Sequence, residues 1–335
     1  MPARVSVVIP AYNAAPFIAD TLASVFAQTF TAYEVIVVND GSPDTDAFER
    51  AIGPYRDRLV YLTQANTGPS GARNHAIHAA GGEYVAFLDS DDQWLPEFLA
   101  DQVRLVDRDR RIDLLYSNGV IFGNPPLAGR TLMSVSPSRG AVTFEALVEE
   151  TCTVLTPCTI ARRQAVIDAG LFDERFLRSE DFHLWLKMAL NGAHIAYNPR
   201  VLVRHRRRDG SLAHDTRAMM RAFIDVLRDV DARFALTAAQ RLLVRRQVAV
   251  RQADLALAEG KSEFLAGDYN EALAWLARAR ALEPRRASRV RLDVIRGVLR
   301  LAPALLRRAY EIRRRPAALA APSLSGTIPS RGTQR

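Results

Sequence analysis

The chain has 335 residues, 48% hydrophobic and 24% charged, which suits one large soluble domain and a smaller one. Its formal charge is +8, but eleven Arg against Asp293 and Glu311 between residues 285 and 315 give a local excess of nine, leaving the rest at −1. A basic tail on a near-neutral body excludes a general nucleic-acid-binding protein, and two cysteines, Cys152 and Cys158, exclude a disulfide framework.

The N-terminus, MPARVSVVIP, has one Arg and a short apolar run before Pro10, so no signal peptide is expected. No stretch approaches the length of a bilayer-spanning helix. With two unpaired thiols, this points to a reducing, cytoplasmic setting. Up to residue 123, apolar runs at 5–9, 33–38, 59–62, 84–88 and 113–122 alternate with amphipathic segments such as 17–26 and 70–80. Near-continuous apolar strands between helices predict an α/β fold, a mainly parallel sheet with helices on both faces. Residues 124–140, rich in Pro, Gly and Ser, read as a loop. Beyond it the pattern predicts a helix near 144–150, a strand near 154–160, a helix at 180–190 and strands near 193–197 and 201–206. From Ser211 onward the chain reads as helical. Pro316 opens a Ser/Pro/Thr tail expected to be disordered.

In open parallel sheets, ligands bind at the carboxyl ends of the strands. Here the first strand ends in Pro10-Ala11-Tyr12-Asn13 and the second in Asn39-Asp40-Gly41-Ser42. The third is followed by Gly68-Pro69-Ser70-Gly71-Ala72-Arg73-Asn74, and the fourth ends in Asp89-Ser90-Asp91-Asp92. An aromatic can stack on a base, and an acid can accept hydrogen bonds from a base or ribose. Arg suits phosphate or carboxylate. Crowded carboxylates need a positive charge among them, and a hard divalent cation with oxygen ligands supplies one. Together these describe a nucleotide-diphosphate site with a metal on the phosphates. Each signal has a structural alternative. Asp-Ser-Asp and Asn-Asp-Gly-Ser form turns, Gly68–Gly71 can serve as flexible chain, and Glu180-Asp181 are ordinary acids for a first helical turn. Trp94 and Trp185 read as core, and Cys152 and Cys158 as small buried residues.

The segments VSVVIPAYNA, VIVVNDGS, GPSGARN, VAFLDSDD, AGLFDERF and SEDFHLWLKMALNG occur in that order. Over residues 4–213 the chain resembles the inverting family 2 glycosyltransferases of the GT-A fold. The resemblance implies that Pro10 and Tyr12 lie against the nucleobase and that Asp40 hydrogen-bonds it. Arg73 is then near the base or phosphates, Asp89 and Ser90 contact the nucleotide sugar, and Asp91, with Asp89 beside it, binds Mn²⁺ or Mg²⁺. Asp181 is the general base and Glu180 helps hold the acceptor. By family habit the donor is a UDP-sugar, and no residue excludes a dTDP or GDP donor. The acceptor is a saccharide or a lipid-linked saccharide, in cell-surface polysaccharide or glycolipid synthesis. Ser179 reads as the N-cap of the acceptor helix, whose dipole would keep Asp181 ionised. The family's usual histidine falls by offset from Gly210-Ser211 on Arg208. His205, three residues earlier, is a candidate metal ligand; neutralisation of the diphosphate by Arg206 or Arg208 and a solvated basic strand edge are the alternatives. The functional alternative is a helical interaction protein that binds a nucleotide sugar without turnover.

These readings divide the chain into a catalytic domain at 1–210, with a nucleotide-sugar half (1–123) and an acceptor half (124–210), a helical region at 211–315, and a tail at 316–335. Within the helical region SEFLAGDYNEALAWLARARALEP resembles a tetratricopeptide hairpin, placed at about 254–287. A lone repeat cannot bury its own face, so packing on flanking helices, on the catalytic domain or on another subunit is expected. The basic segment 285–315 puts Val, Leu and Ile among Arg. It reads either as a peripheral membrane contact or as a core-packed helix with a solvated Arg face.

Overall fold

The computed structural model describes residues 2–123, 126–208, 215–303 and 307. The expected tail at 316–335, the Gly210-Ser211 pair and most of 304–315 lie outside the described residues. The elements run β1 (Val5–Ala11), α1 (Ile18–Phe26), β2 (Tyr33–Asp40), α2 (Thr45–Ile52), β3 (Val60–Gln64), α3 (Gly68–Ala79) and β4 (Tyr84–Phe87). Then come β5 (Gln93–Trp94), α4 (Phe98–Arg108), β6 (Ile112–Gly123), α5 (Leu132–Val135), α6 (Phe144–Val148), β7 (Thr159–Arg162) and α7 (Arg163–Asp168). The last are α8 (Glu180–Leu190), β8 (His194–Arg207), α9 (Thr216–Arg233), α10 (Ala238–Ala266), α11 (Tyr269–Leu282) and α12 (Arg286–Leu301). Contacts divide the chain into compact units at 1–255 and 256–335, so α9 and most of α10 belong with the sheet.

The eight strands form one sheet in the order β3-β2-β1-β4-β7-β6-β8-β5. Parallel pairing joins β3, β2, β1 and β4, as the alternation predicts. β7 then runs antiparallel to both β4 and β6, and β5 antiparallel to β8, so the sheet is mixed. β1 and β4 are apolar almost throughout because they are buried on both faces. The strand expected at 154–160 starts late. Thr156–Cys158 form a 3-10 turn, because Pro157 offers no N–H to a ladder. The two strands expected over 193–206 are one strand, β8, whose register against β6 slips near Ser117 and Asn118.

Phe87 of β4, Phe172 and Trp185 of α8 pack as an aromatic cluster with ring centroids 5.4–6.2 Å apart. This cluster packs the middle of α8 against the carboxyl end of β4. Trp94 and Trp185 are core residues, Cys152 and Cys158 are buried free thiols, and Tyr12 is 48% exposed.

In the second unit the chain turns at Gly267, whose φ of +94° favours glycine, and Asp268 caps α11 by accepting from Glu271 N at 3.0 Å. Ala272, Leu276 and Ala279 of α11 pack with Leu292 and Leu299 of α12. No described helix is long and apolar enough to cross a membrane.

Candidate active site

The rim is assembled by hydrogen bonds between loops. Ser42 Oγ accepts from Asn13 N at 2.7 Å, tying the ends of β1 and β2, and the neighbouring Tyr12 is about half exposed. Asp40 Oδ1 accepts from Gln64 Nε2 (2.8 Å) and Thr67 N (2.9 Å), and Oδ2 accepts from Gly68 N (2.8 Å). It therefore caps the N–H groups that open α3, and the residue is 3% exposed. The GPSGARN segment is not flexible chain. It is the first half of α3, and it clamps the following AGLFDERF segment: Asn74 exchanges bonds with Phe172 O (2.9 Å) and Phe172 N (3.0 Å), and Ser70 donates to Phe176 O (3.2 Å).

Each crowded carboxylate has its own cation. Arg73 Nη2 donates to Asp89 Oδ1 at 2.8 Å. Arg208 Nε donates to Asp91 Oδ2 at 2.7 Å. His205 Nδ1 lies 2.9 Å from Asp92 Oδ2, and Arg206 N donates to Asp92 Oδ1 at 2.6 Å. Thr21 Oγ1 ties down the loop through the carbonyls of Ser90 (3.0 Å) and Asp92 (2.8 Å). Asp92 is fully buried; burial pushes its carboxyl up to about 6 against the attraction of His205. Burial opposes charge on His205, but Asp92 outweighs it and lifts the ring to about 9. His205 is thus committed to Asp92 rather than to Asp89 or Asp91, and Arg208, at the offset where the family's histidine falls, is the side chain on Asp91.

Asp89 Oδ2 and Asp91 Oδ1 accept no hydrogen bond from the described residues, leaving two carboxylate oxygens on one short loop. A donor set of carboxylate oxygens suits a hard divalent cation, and the guanidinium on Asp91 already stands where a cation belongs. The residues fit such an ion.

Arg73 joins this loop to α8. It is 5% exposed, and its Nη1 donates to Glu180 Oε1 at 2.7 Å. Burial works against its charge, and Asp89 and Glu180 outweigh it. Beside Glu180, Asp181 accepts from Thr156 Oγ1 on Oδ2 and from Phe182 N on Oδ1, both at 2.7 Å. Two expectations change here. Ser179 sits at φ +58° and its hydroxyl makes no capping bond. The helix terminus also does not decide the acids' charge. Burial raises Asp181 above the ordinary aspartate range and takes Glu180 up to about 7, against the pull of Arg73.

Pro10 lies within β1 beside Tyr12, and Ser90 lies between the two carboxylates. Thr156 and Thr21 lie outside every motif, while Asp92 and Asn74 stand inside motifs that gave them no role of their own. Asp92 had a signal, its place next to Asp91. Thr156 had none, since it meets Asp181 from 25 residues away.

Elsewhere, Asp173, His183 and Asp229 place ligand atoms within 4.8 Å of one another. Arg175 already pairs with both carboxylates, and Arg233 with Asp229 at 3.0 Å, so this is an ion-pair network. A shallow cleft of about 470 Å³ beside α3 is lined by Gln64, His75, His78 and Glu174 among others, with none of the rim carboxylates in its wall.

Residues 6–170 match the model of glycosyl transferase family 2. A relative from Escherichia coli, the UDP-Glc:alpha-D-GlcNAc-diphosphoundecaprenol beta-1,3-glucosyltransferase WfgD, is 32% identical over 189 residues, 55% of this chain and 69% of WfgD. Two further relatives are longer, and the chain covers 34% of each. S. aureus TarS 1-349 in complex with UDP-GlcNAc is structurally similar, with a TM-score of 0.60, 24% identity and 84% of both chains covered. Mannosyltransferase PcManGT from Pyrobaculum calidifontis, in complex with GDP-Man and Mn²⁺, gives a TM-score of 0.59 at 20% identity over 93% of this chain and 86% of its own. At these identities the two structures establish the fold.

Proposed function

The chain belongs to glycosyl transferase family 2, and on that premise we propose that it moves a sugar from a nucleotide diphosphate to an acceptor hydroxyl, with inversion. The observation that carries the reading is Arg73, which holds Asp89 of the nucleotide rim and Glu180 of the acceptor helix with one guanidinium. It sets the two halves of a transfer site at a fixed spacing.

Tyr12, 48% exposed at the rim, stacks on the base, and Asp40 hydrogen-bonds it. Asp89 and Asp91 would hold Mn²⁺ or Mg²⁺, whose contribution is to stabilise charge on the departing diphosphate. Released from Asp91, the Arg208 guanidinium is placed to pair with phosphate oxygens. Asp181 takes the proton of the attacking hydroxyl, and its raised pKa makes it a stronger base than a solvated aspartate. With a single base and no covalent intermediate, attack comes from the face opposite the leaving group and the anomeric configuration inverts. UDP as the nucleotide, and a lipid-linked saccharide as the acceptor, are supported by the name of the E. coli relative. The accompanying location is cytoplasmic, in keeping with two buried free thiols. The turn at Gly267 is read as a lone tetratricopeptide-like hairpin whose open face α12 covers.

Calorimetric titration of UDP tests this reading. Mn²⁺ is expected to tighten UDP binding to the wild type, and Asp91→Asn is expected to lose that gain while retaining the metal-free affinity. UDP affinity indifferent to both Mn²⁺ and Asp91 would overturn the metal assignment.

A further inference from the structure

Four of the nine large hydrophobic side chains exposed among the described residues lie on one helix, α12: Val290 at 58%, Val294 at 61%, Val298 at 37% and Leu301 at 89%. At 100° per residue they fall within a sector of about 80°. The packed face of α12, centred on Leu292 and Leu299, points about 150° away. The helix thus has two apolar faces, and among the described residues its own unit covers only one. Arg291 borders the open stripe on one side; on the other, Arg300 and Arg289 lie about 80–100° round from its edge, beyond Asp293. Asp293 lies on that second side but is engaged by Arg280 at 2.9 Å and Arg296 at 3.7 Å. The sequence stays basic across this region, eleven Arg against two acids from 285 to 315.

We propose that the open face of α12 is a docking surface for an anionic lipid bilayer, with the valine stripe in the acyl boundary and the flanking arginines on lipid phosphates. Charge decides between occupants. A second copy of the chain, docked stripe to stripe about a two-fold axis, would bring the flanking arginines of one copy against those of the other. An acidic partner protein would need carboxylates at both borders of a matching apolar groove. A bilayer of acidic lipids offers an apolar interior under a continuous negative surface at every register along the 16-residue helix.

The test is co-sedimentation of the full chain with vesicles of phosphatidylcholine alone and of phosphatidylcholine mixed with phosphatidylglycerol. Binding to the anionic vesicles is expected to be tighter by about tenfold or more and to weaken with salt. Val294→Asp with Val298→Asp should lower it by about tenfold or more, with helix content unchanged by circular dichroism, because both side chains are exposed in the folded protein. Arg291→Glu with Arg300→Glu should erase the preference for the anionic vesicles. Val60→Asp, a comparably exposed valine on β3, should leave binding untouched. Equal binding to both vesicles, or wild-type binding by the valine variant, overturns the proposal. So does a dimer in sedimentation velocity that the valine variant dissociates, which would assign the face to a second copy.

Discussion

Glu180→Gln isolates what burial does to the carboxyl beside Arg73. The Glu180 side chain is 10% exposed and receives Arg73 Nη1 at 2.7 Å. Burial, opposed by Arg73 and reinforced by Asp181, raises its folded-state pKa from 4.5 to about 7. The folded protein therefore holds this proton more tightly than the unfolded chain. The stability that goes with the protonated form is fully present below pH 4.5 and is lost as pH rises through about 7. The gap is worth roughly 3 kcal/mol at most. Glutamine is neutral at every pH and its Oε1 can still accept from Arg73, so the variant mimics the protonated state throughout. Near pH 4 the two proteins should unfold alike. By pH 8 the variant should be more stable by roughly 2–3 kcal/mol, a rise of roughly 5–10 °C in melting temperature for a unit of this size. Thermal and urea unfolding of both proteins across that range is the assay. If the gap stays constant, or if wild type gains on the variant as pH rises, Arg73 outweighs burial and the charge reasoning fails.

Asp181→Asn should cut glycosyl transfer by roughly a hundred- to ten-thousand-fold while UDP titration is unchanged; undiminished transfer would remove Asp181 as the base. Thr156→Val deletes the 2.7 Å donor to Asp181 Oδ2, which favours the protonated acid. The acid limb of the pH–rate profile should move up by about one pH unit, and Thr156→Ser should restore it; an unmoved limb leaves Thr156 no part in setting the base. Arg73→Met leaves Glu180 and Asp89 facing each other without a cation. Because Asp89 is 32% exposed its share is discounted, and a loss of roughly 2–4 kcal/mol in denaturant unfolding is expected. Arg73→Lys should recover only part of it, since an ammonium lacks the fork that reaches both carboxylates; a neutral Arg73→Met would mean the bridge carries no net stability.

Much of this molecule could be read along the chain. The apolar runs marked the strands of the parallel half, because strands covered on both faces need apolar side chains on both. The polar ends of those runs marked the rim, and the Arg-rich, strandless stretch after 211 marked the helices. These are local properties: a period, a breaker, a motif at a strand's end. Where a neighbour far along the chain decides the outcome, sequence periodicity was silent. The antiparallel course of β7 depends on which strands it meets, not on its own residues. Asp40 read as a base contact, yet it first caps the helix that begins 28 residues later. Arg73 finds Glu180 across 107 residues, Arg208 finds Asp91 across 117, and no spacing rule records such a pairing. The same holds for charge. An acid at a helix terminus reads as ionised, but burial outweighs the helix terminus at Glu180 and Asp181, and burial exists only once the chain has packed. Sequence alone determined which chemical groups this protein carries to the rim of its sheet. Folding decided which cation each acid faces and how tightly it keeps its proton, because desolvation and long-range contact are properties of three-dimensional packing.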